Sequence, residues 1–368
     1  MQQQSGICQR MRPTPRWLYP FDYPLLVYAA AGLLCAEVYG FQVRWNVIWN
    51  FQYEIILLRQ GVPIYLLLVY AHRMFIQRQT LSQMLDDCAV ALKRWRDWRV
   101  WYELLRTLLA IKLCLAIYTL LKQEIPLLNS HLFDAQLDAV DRWLHLGFEP
   151  AAIWHWLPWH WFSLIVDLLY IVWYLLKTPV ILLFLLHRNR QRRWHFFTSY
   201  ILTWMIGGSF AILLPSLGPI YVRPELYEGL AAPYANQLQT MLWTHYQQFL
   251  ADPSAYNVYI YEGIAAFPSL HVAIIVLFTL ALRPWRLLFW PLLVYCVVIQ
   301  FGSFYLGWHY AIDGYFGALL AAAIFLGLKP LFHKRKNACT EIRSTDPSSL
   351  SNNRPRQKSS VLLSNQRK

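Results

Sequence analysis

Apolar residues gather into eight long runs separated by polar or basic stretches, and this alternation predicts helices at about 24–42, 50–71, 103–121, 162–186, 197–215, 270–284, 287–305 and 311–330. Several runs reach the roughly 18–20 residues that cross about 30 Å of hydrocarbon. The second is interrupted by Arg59, Gly61 and Pro63. The expected fold class is all-α: a polytopic membrane helical bundle of about eight transmembrane helices.

Between the third and fourth runs, residues 131–146 have helical period, with Phe133, Leu137, Val140 and Leu144 on one stripe and Asp134, Asp138, Asp141 and His145 on another. Such a pattern predicts an interfacial helix with its charged face in water. The alternative, a divalent metal site on the acidic stripe, is the weaker reading, and no metal or other cofactor is expected. Residues 216–262 form a long, aromatic, Pro-containing connection. Connections of that kind beside a site serve as lids or substrate walls.

Composition sharpens the class. The chain has 368 residues, 57% hydrophobic and 14% charged, with 18 Trp and 23 Tyr. That apolarity lies outside the range of soluble domains, and the aromatics suit the belts where helices leave a bilayer. The net charge of +13 does not point to nucleic acid as a partner, because basic residues in a membrane protein chiefly set its orientation. Twenty-five Lys and Arg fall in one alternate set of loops and termini, against Arg44, Lys122, Arg142 and Arg223 in the other. By the positive-inside rule both termini are cytoplasmic.

The N-terminal segment 1–23 lacks the apolar core of a signal peptide and is expected to be retained in the cytoplasm. Residues 24–100 hold two helices and a basic cytoplasmic loop that reads as helical over 80–97. Residues 101–330 form the catalytic membrane domain, and 331–368 a disordered basic cytoplasmic tail. Cys35, Cys114 and Cys296 fall in predicted spans, and Cys8, Cys88 and Cys339 in cytoplasmic segments. No disulfide or zinc site is expected from that placement.

The predicted topology brings two distant polar motifs to one face. In FPSLHVA, Pro268 opens a helix, Ser269 offers a hydroxyl in its first turn, and His271 stands one turn in. Free amides at a helix start attract anions, so His271 is placed to exchange a proton with a phosphate oxygen. In HYAID, His309 and Asp313 stand four residues apart, which on a helix puts both on one face. A carboxylate bonded to one ring nitrogen would leave the other free to attack. Arg223, the one cation of the 216–262 connection, is a candidate anion ligand or a partner of Glu225 or Glu228.

These residues resemble the type-2 phosphatidic acid phosphatase superfamily, whose members carry Pro-Ser-x-His and a later His-x-x-x-Asp. DAQLDAVDRWLHLGFEP resembles the inositol phosphorylceramide synthase-like branch, an inositolphosphotransferase group. The likeness covers roughly residues 100–330 and implies a six-helix phosphatidic acid phosphatase-like core. It implies His309 as nucleophile, Asp313 as its orienter and His271 as general acid, then base. Ser269 and nearby amides would hold phosphate oxygens. The family phosphatases carry Ser-Arg where this chain has Gly302 and Ser303. Ser303 is therefore a candidate substrate contact without the cation. Fewer cations suit a singly charged phosphodiester better than a monoester.

The expectation is a lipid phosphotransferase that moves a phospho-head group to an alcohol through a phosphohistidine at the non-cytoplasmic face. Its partners are a phospholipid donor and a lipid or polyol acceptor. The membrane is a bacterial inner membrane with a periplasmic site, or an endomembrane with a lumenal one. Hydrolysis of a lipid phosphate or pyrophosphate at the same site is the alternative. A non-enzymatic transporter or scaffold is a second, in which Glu37, Arg106, Asp167 and Lys177 would form a polar pathway.

Overall fold

A computed structural model describes residues 18–43, 50–80, 82–83, 96–157, 159–253 and 263–333. The segment 1–17, most of 80–97 and the tail from 334, with Cys8, Cys88 and Cys339, lie outside the described residues. Ten helices carry the described fold: α1 Asp22–Tyr39, α2 Gln52–Ala71, α3 Trp98–Gln123, α4 Asp134–Leu144 and α5 His160–Leu185, then α6 Arg190–Leu213, α7 Pro233–Ala251, α8 Leu270–Leu282, α9 Arg286–Tyr305 and α10 Ala311–His333. Among the described residues there is no strand.

Each predicted apolar run is a helix. Five of them, α3, α5, α6, α9 and α10, are long and apolar enough to cross a membrane. Local chemistry sets their starts: the Asp97 side chain accepts from the Arg99 amide, and that of Asn189 from the amides of Gln191 and Arg192. Both side chains occupy donors that a helix N-terminus otherwise leaves unmet.

The compact unit spans Arg16–Lys329 and holds every candidate site residue. α8 lies at its heart: Ala273, Ile274, Ile275, Leu277 and Phe278 are completely buried. It packs mainly on α9 and also on α6, while α5 packs on α2 and α9. Gly317 of α10 allows a close backbone approach, since a Cβ there would collide with the backbone oxygen of Ser269. α8 has 13 residues and α9 has 20. At about 1.5 Å per residue, α8 is about 10 Å shorter than its neighbour.

The acidic helix is oriented opposite to expectation. Asp134, Asp138 and Asp141 are buried, while Val140 and Leu144 are exposed. Asp134 accepts from the amides of Leu217 and Gly218 and from the Tyr310 hydroxyl. Asp141 accepts from the amides of Ala311 and Ile312 at 2.6 and 2.7 Å, capping α10 from another element. Unmet amide donors are costly to bury, so the carboxylates turn inward toward them. Burial raises the Asp141 pKa above the usual carboxylate value, and the two amide bonds pull it partly back.

Residues 216–262, expected as a long connection, contain α7. Asp167 of α5 accepts from the amides of Tyr234 and Ala235 and so fixes where α7 starts. Gln239 donates to the carbonyl of Leu306 at 2.8 Å, tying the middle of α7 to the turn before α10.

Candidate active site

The two motifs meet. The rings of His271 and His309 have centroids 5.7 Å apart, inclined at 64°. Both can touch one phosphate group at that separation. His271, the second residue of α8, lies against Trp173 and Tyr170 of α5, with ring centroids 4.5 and 5.4 Å away. The Trp173 indole N–H donates to the His271 carbonyl, fixing the start of α8 against α5.

His309 differs from the sequence expectation. α10 begins at Ala311, so His309 belongs to the preceding turn and shares no helix face with Asp313. That turn closes at Gly307, whose φ of 79° favours glycine. The His309 amide donates to the carbonyl of Ser303. Its Nδ1 lies 2.6 Å from the carbonyl oxygen of Ala266, which can only accept, so Nδ1 carries the proton and Nε2 keeps its lone pair. Asp313 is fully buried, and its Oδ2 is 3.6 Å from Nδ1. It accepts from the amide of Tyr310, and its own carbonyl accepts from the amide of Ser269. Asp313 therefore joins the two motifs through backbone groups and faces the imidazole as a charge, while the Ala266 carbonyl holds the tautomer.

The other candidates divide. The Ser269 hydroxyl is buried without a hydrogen-bond partner. The Ser303 hydroxyl donates back to the carbonyl of Gln300 at 2.7 Å, so this side chain is engaged within α9. Arg223 pairs with Asp138 at 2.8 Å and with Glu149, in place of Glu225 or Glu228, and is not among the residues lining the cavity.

That cavity measures about 650 Å³ and has both histidines in its wall. α3 contributes Tyr118 and Lys122, α5 contributes Tyr170, Trp173, Tyr174 and Lys177, and α7 contributes Leu238, Met241, Leu242 and His245. Trp308 completes the wall beside His309. Of the charges that suggested a transport pathway, Asp167 and Lys177 line this space. Arg106 instead pairs with Asp22, and Glu37 is exposed on α1, so the four do not form one path.

The sequence reading missed the two lysines and α7. It placed Lys122 in an outer connection and left Lys177 inside a span. The one available signal was that Lys177 follows Trp173 by four residues, which puts both on one face of α5. With both lysines in the wall, a shortage of cations no longer separates diester from monoester substrates.

A family model described as the PAP2 superfamily matches residues 135–327, a stretch that includes α4, both histidines and Asp313. Comparison with curated proteins and with solved structures gives no match.

Proposed function

Because the chain belongs to the PAP2 superfamily and is an integral membrane protein, we propose that it is a lipid phosphotransferase of the inositol phosphorylceramide synthase-like kind, working through a phosphohistidine. The observation that carries this reading is the pair of imidazoles 5.7 Å apart in the wall of one large, mostly aromatic and aliphatic cavity.

In the first step His309 Nε2 attacks phosphorus and forms a P–N bond. The bond from phosphorus to the donor's oxygen breaks, and His271 gives that oxygen a proton. In the second step His271 takes the proton of an acceptor hydroxyl, whose oxygen bonds to phosphorus as the P–N bond breaks. Asp313 favours the positive charge that His309 gains. These are nucleophilic and general acid–base roles suited to imidazole. The size of the cavity supports transfer over hydrolysis, since about 650 Å³ can admit a second head group beside the donor's. The charge pattern of the loops supports a site on the non-cytoplasmic side with both termini in the cytoplasm.

Hydrolysis at the same site is the second reading, and the pair of lysines favours it, because two cations suit a doubly charged monoester. The test uses purified protein and head-group-labelled phospholipid, with and without alcohols such as inositol or ceramide. Transfer product should exceed released phospho-head group whenever a good acceptor is present, and His309→Ala should form neither. Release that always exceeds transfer would replace this reading with hydrolysis. Wild-type rates in His309→Ala would remove the site assignment itself.

A further inference from the structure

We propose that Lys122 and Lys177 form the anion cradle of this site, supplying from α3 and α5 the positive charge that Ser303 and Arg223 do not bring to the cavity. The proposal rests on the phosphoryl chemistry above but concerns charge binding, which is measurable without turnover.

Three observations converge on it. First, both lysines line the cavity that holds the two histidines. Second, Tyr170, Trp173 and Tyr174, on the helix that carries Lys177, all bring their ring centroids within 6.4 Å of that of His271. Third, Lys177 is held in place, with Nζ 4.0 Å from the centre of the Trp173 ring and 4.8 Å from that of Tyr174. The Trp173 ring is in turn 4.5 Å from the ring of His271. A chain of contacts therefore runs from ammonium through indole to a tilted imidazole.

Alternative sources of charge are engaged elsewhere. Arg223 is matched by Asp138 and Glu149. Position 303, where the family phosphatases have arginine, holds a completely buried serine bonded within its own helix. The neighbouring Gly302 leaves little space, since a Cβ there would stand 2.9 Å from the Tyr170 ring. A phosphate in this largely apolar cavity needs compensating charge nearby, because burying an unpaired anion is costly. Lys122 and Lys177 meet that need on the wall next to His271, where the departing oxygen gathers charge. The ammonium groups hold phosphate oxygens, and Trp173 is a positioning residue that keeps Lys177 and His271 in register.

The experiment compares Lys122→Met and Lys177→Met with the arginine variants at both positions in detergent-purified protein. Binding of orthovanadate and of inorganic phosphate is followed by thermal stabilisation, and kcat and KM with labelled donor are measured in parallel. A charge-assisted hydrogen bond lost to methionine should weaken anion binding and kcat/KM by about tenfold to a hundredfold at either position. Each arginine variant should recover most of the loss. Methionine variants that bind vanadate as the wild type does would overturn the proposal. So would arginine variants as impaired as the methionine ones, which would mark a packing role instead. If His309→Ala keeps turnover but the lysine variants lose vanadate, the catalytic reading fails and the cradle stands.

Discussion

The imidazole of His309 donates to the backbone carbonyl of Ala266 across 2.6 Å. A carbonyl cannot donate a proton in return, so one tautomer is imposed without a side-chain base. Ala266 also donates its own amide to the carbonyl of Ser216, which anchors the segment leading into α8. His309 is thereby oriented by the backbone of the segment that leads to His271.

Asp313→Asn should leave that tautomer intact. The expected result is a fall in kcat of about tenfold to a hundredfold, from lost support of the charged ring. KM and thermal stability should change little, since an amide oxygen still accepts from Tyr310. Steady-state kinetics and a melting curve check both. A loss as complete as that of His309→Ala would mean that Asp313 sets the tautomer after all.

His271 should matter according to the leaving group. His271→Ala is expected to slow turnover of an alkyl-linked donor by about 100- to 10,000-fold, the usual contribution of general acid–base catalysis. A nitrophenyl-linked donor needs no proton on departure, so labelled phosphoenzyme should still accumulate in this variant. Equal losses in phosphoenzyme formation with both donors would contradict the acid role.

Asp141 acts on the site from outside the cavity. Asp141→Ala removes the acceptor for the amides of Ala311 and Ile312. A cost of about 1–2 kcal/mol, the range for a lost helix cap, is expected as a lower melting temperature. Because α10 carries Asp313 in its first turn, kcat should fall as well. An unchanged melting curve would show that the cap contributes nothing.

Asp167 ties α7 to α5 through Tyr234 and Ala235. Asp167→Ala should loosen this wall and admit water. Released phospho-head group should then rise against transfer product at fixed acceptor concentration, by about fivefold for each kcal/mol of lost closure. The product ratio, measured by chromatography, would show no change if α7 does not control water access.

Much of this was legible in the chain. Pro268, Ser269 and His271, with His309 and Asp313, stand out through the resemblance to a family pattern, and the helices through continuous apolarity. The orientation of α4 did not, because an amphipathic period separates two faces without saying which one meets amide donors. Asp134 and Asp141 turn inward because Leu217, Gly218, Ala311 and Ile312 present unmet N–H groups there. α7 was hidden because polar Gln237, Gln239 and Gln247 interrupt its apolar positions. Lys122 and Lys177 could be assigned to the cavity only once α3 and α5 were packed, since one residue of rotation would have pointed either elsewhere.

The short α8 has a consequence for substrates. Thirteen residues give α8 about 20 Å of helix, against about 30 Å for the 20 residues of α9. Beside a helix about 10 Å longer, the phosphate of a lipid donor would have to reach down to His271, or the surrounding leaflet dimple toward it. Lipid donors should therefore react faster than short-chain mimics of the same head group, a difference that small anions such as vanadate, which need no tail, should not show.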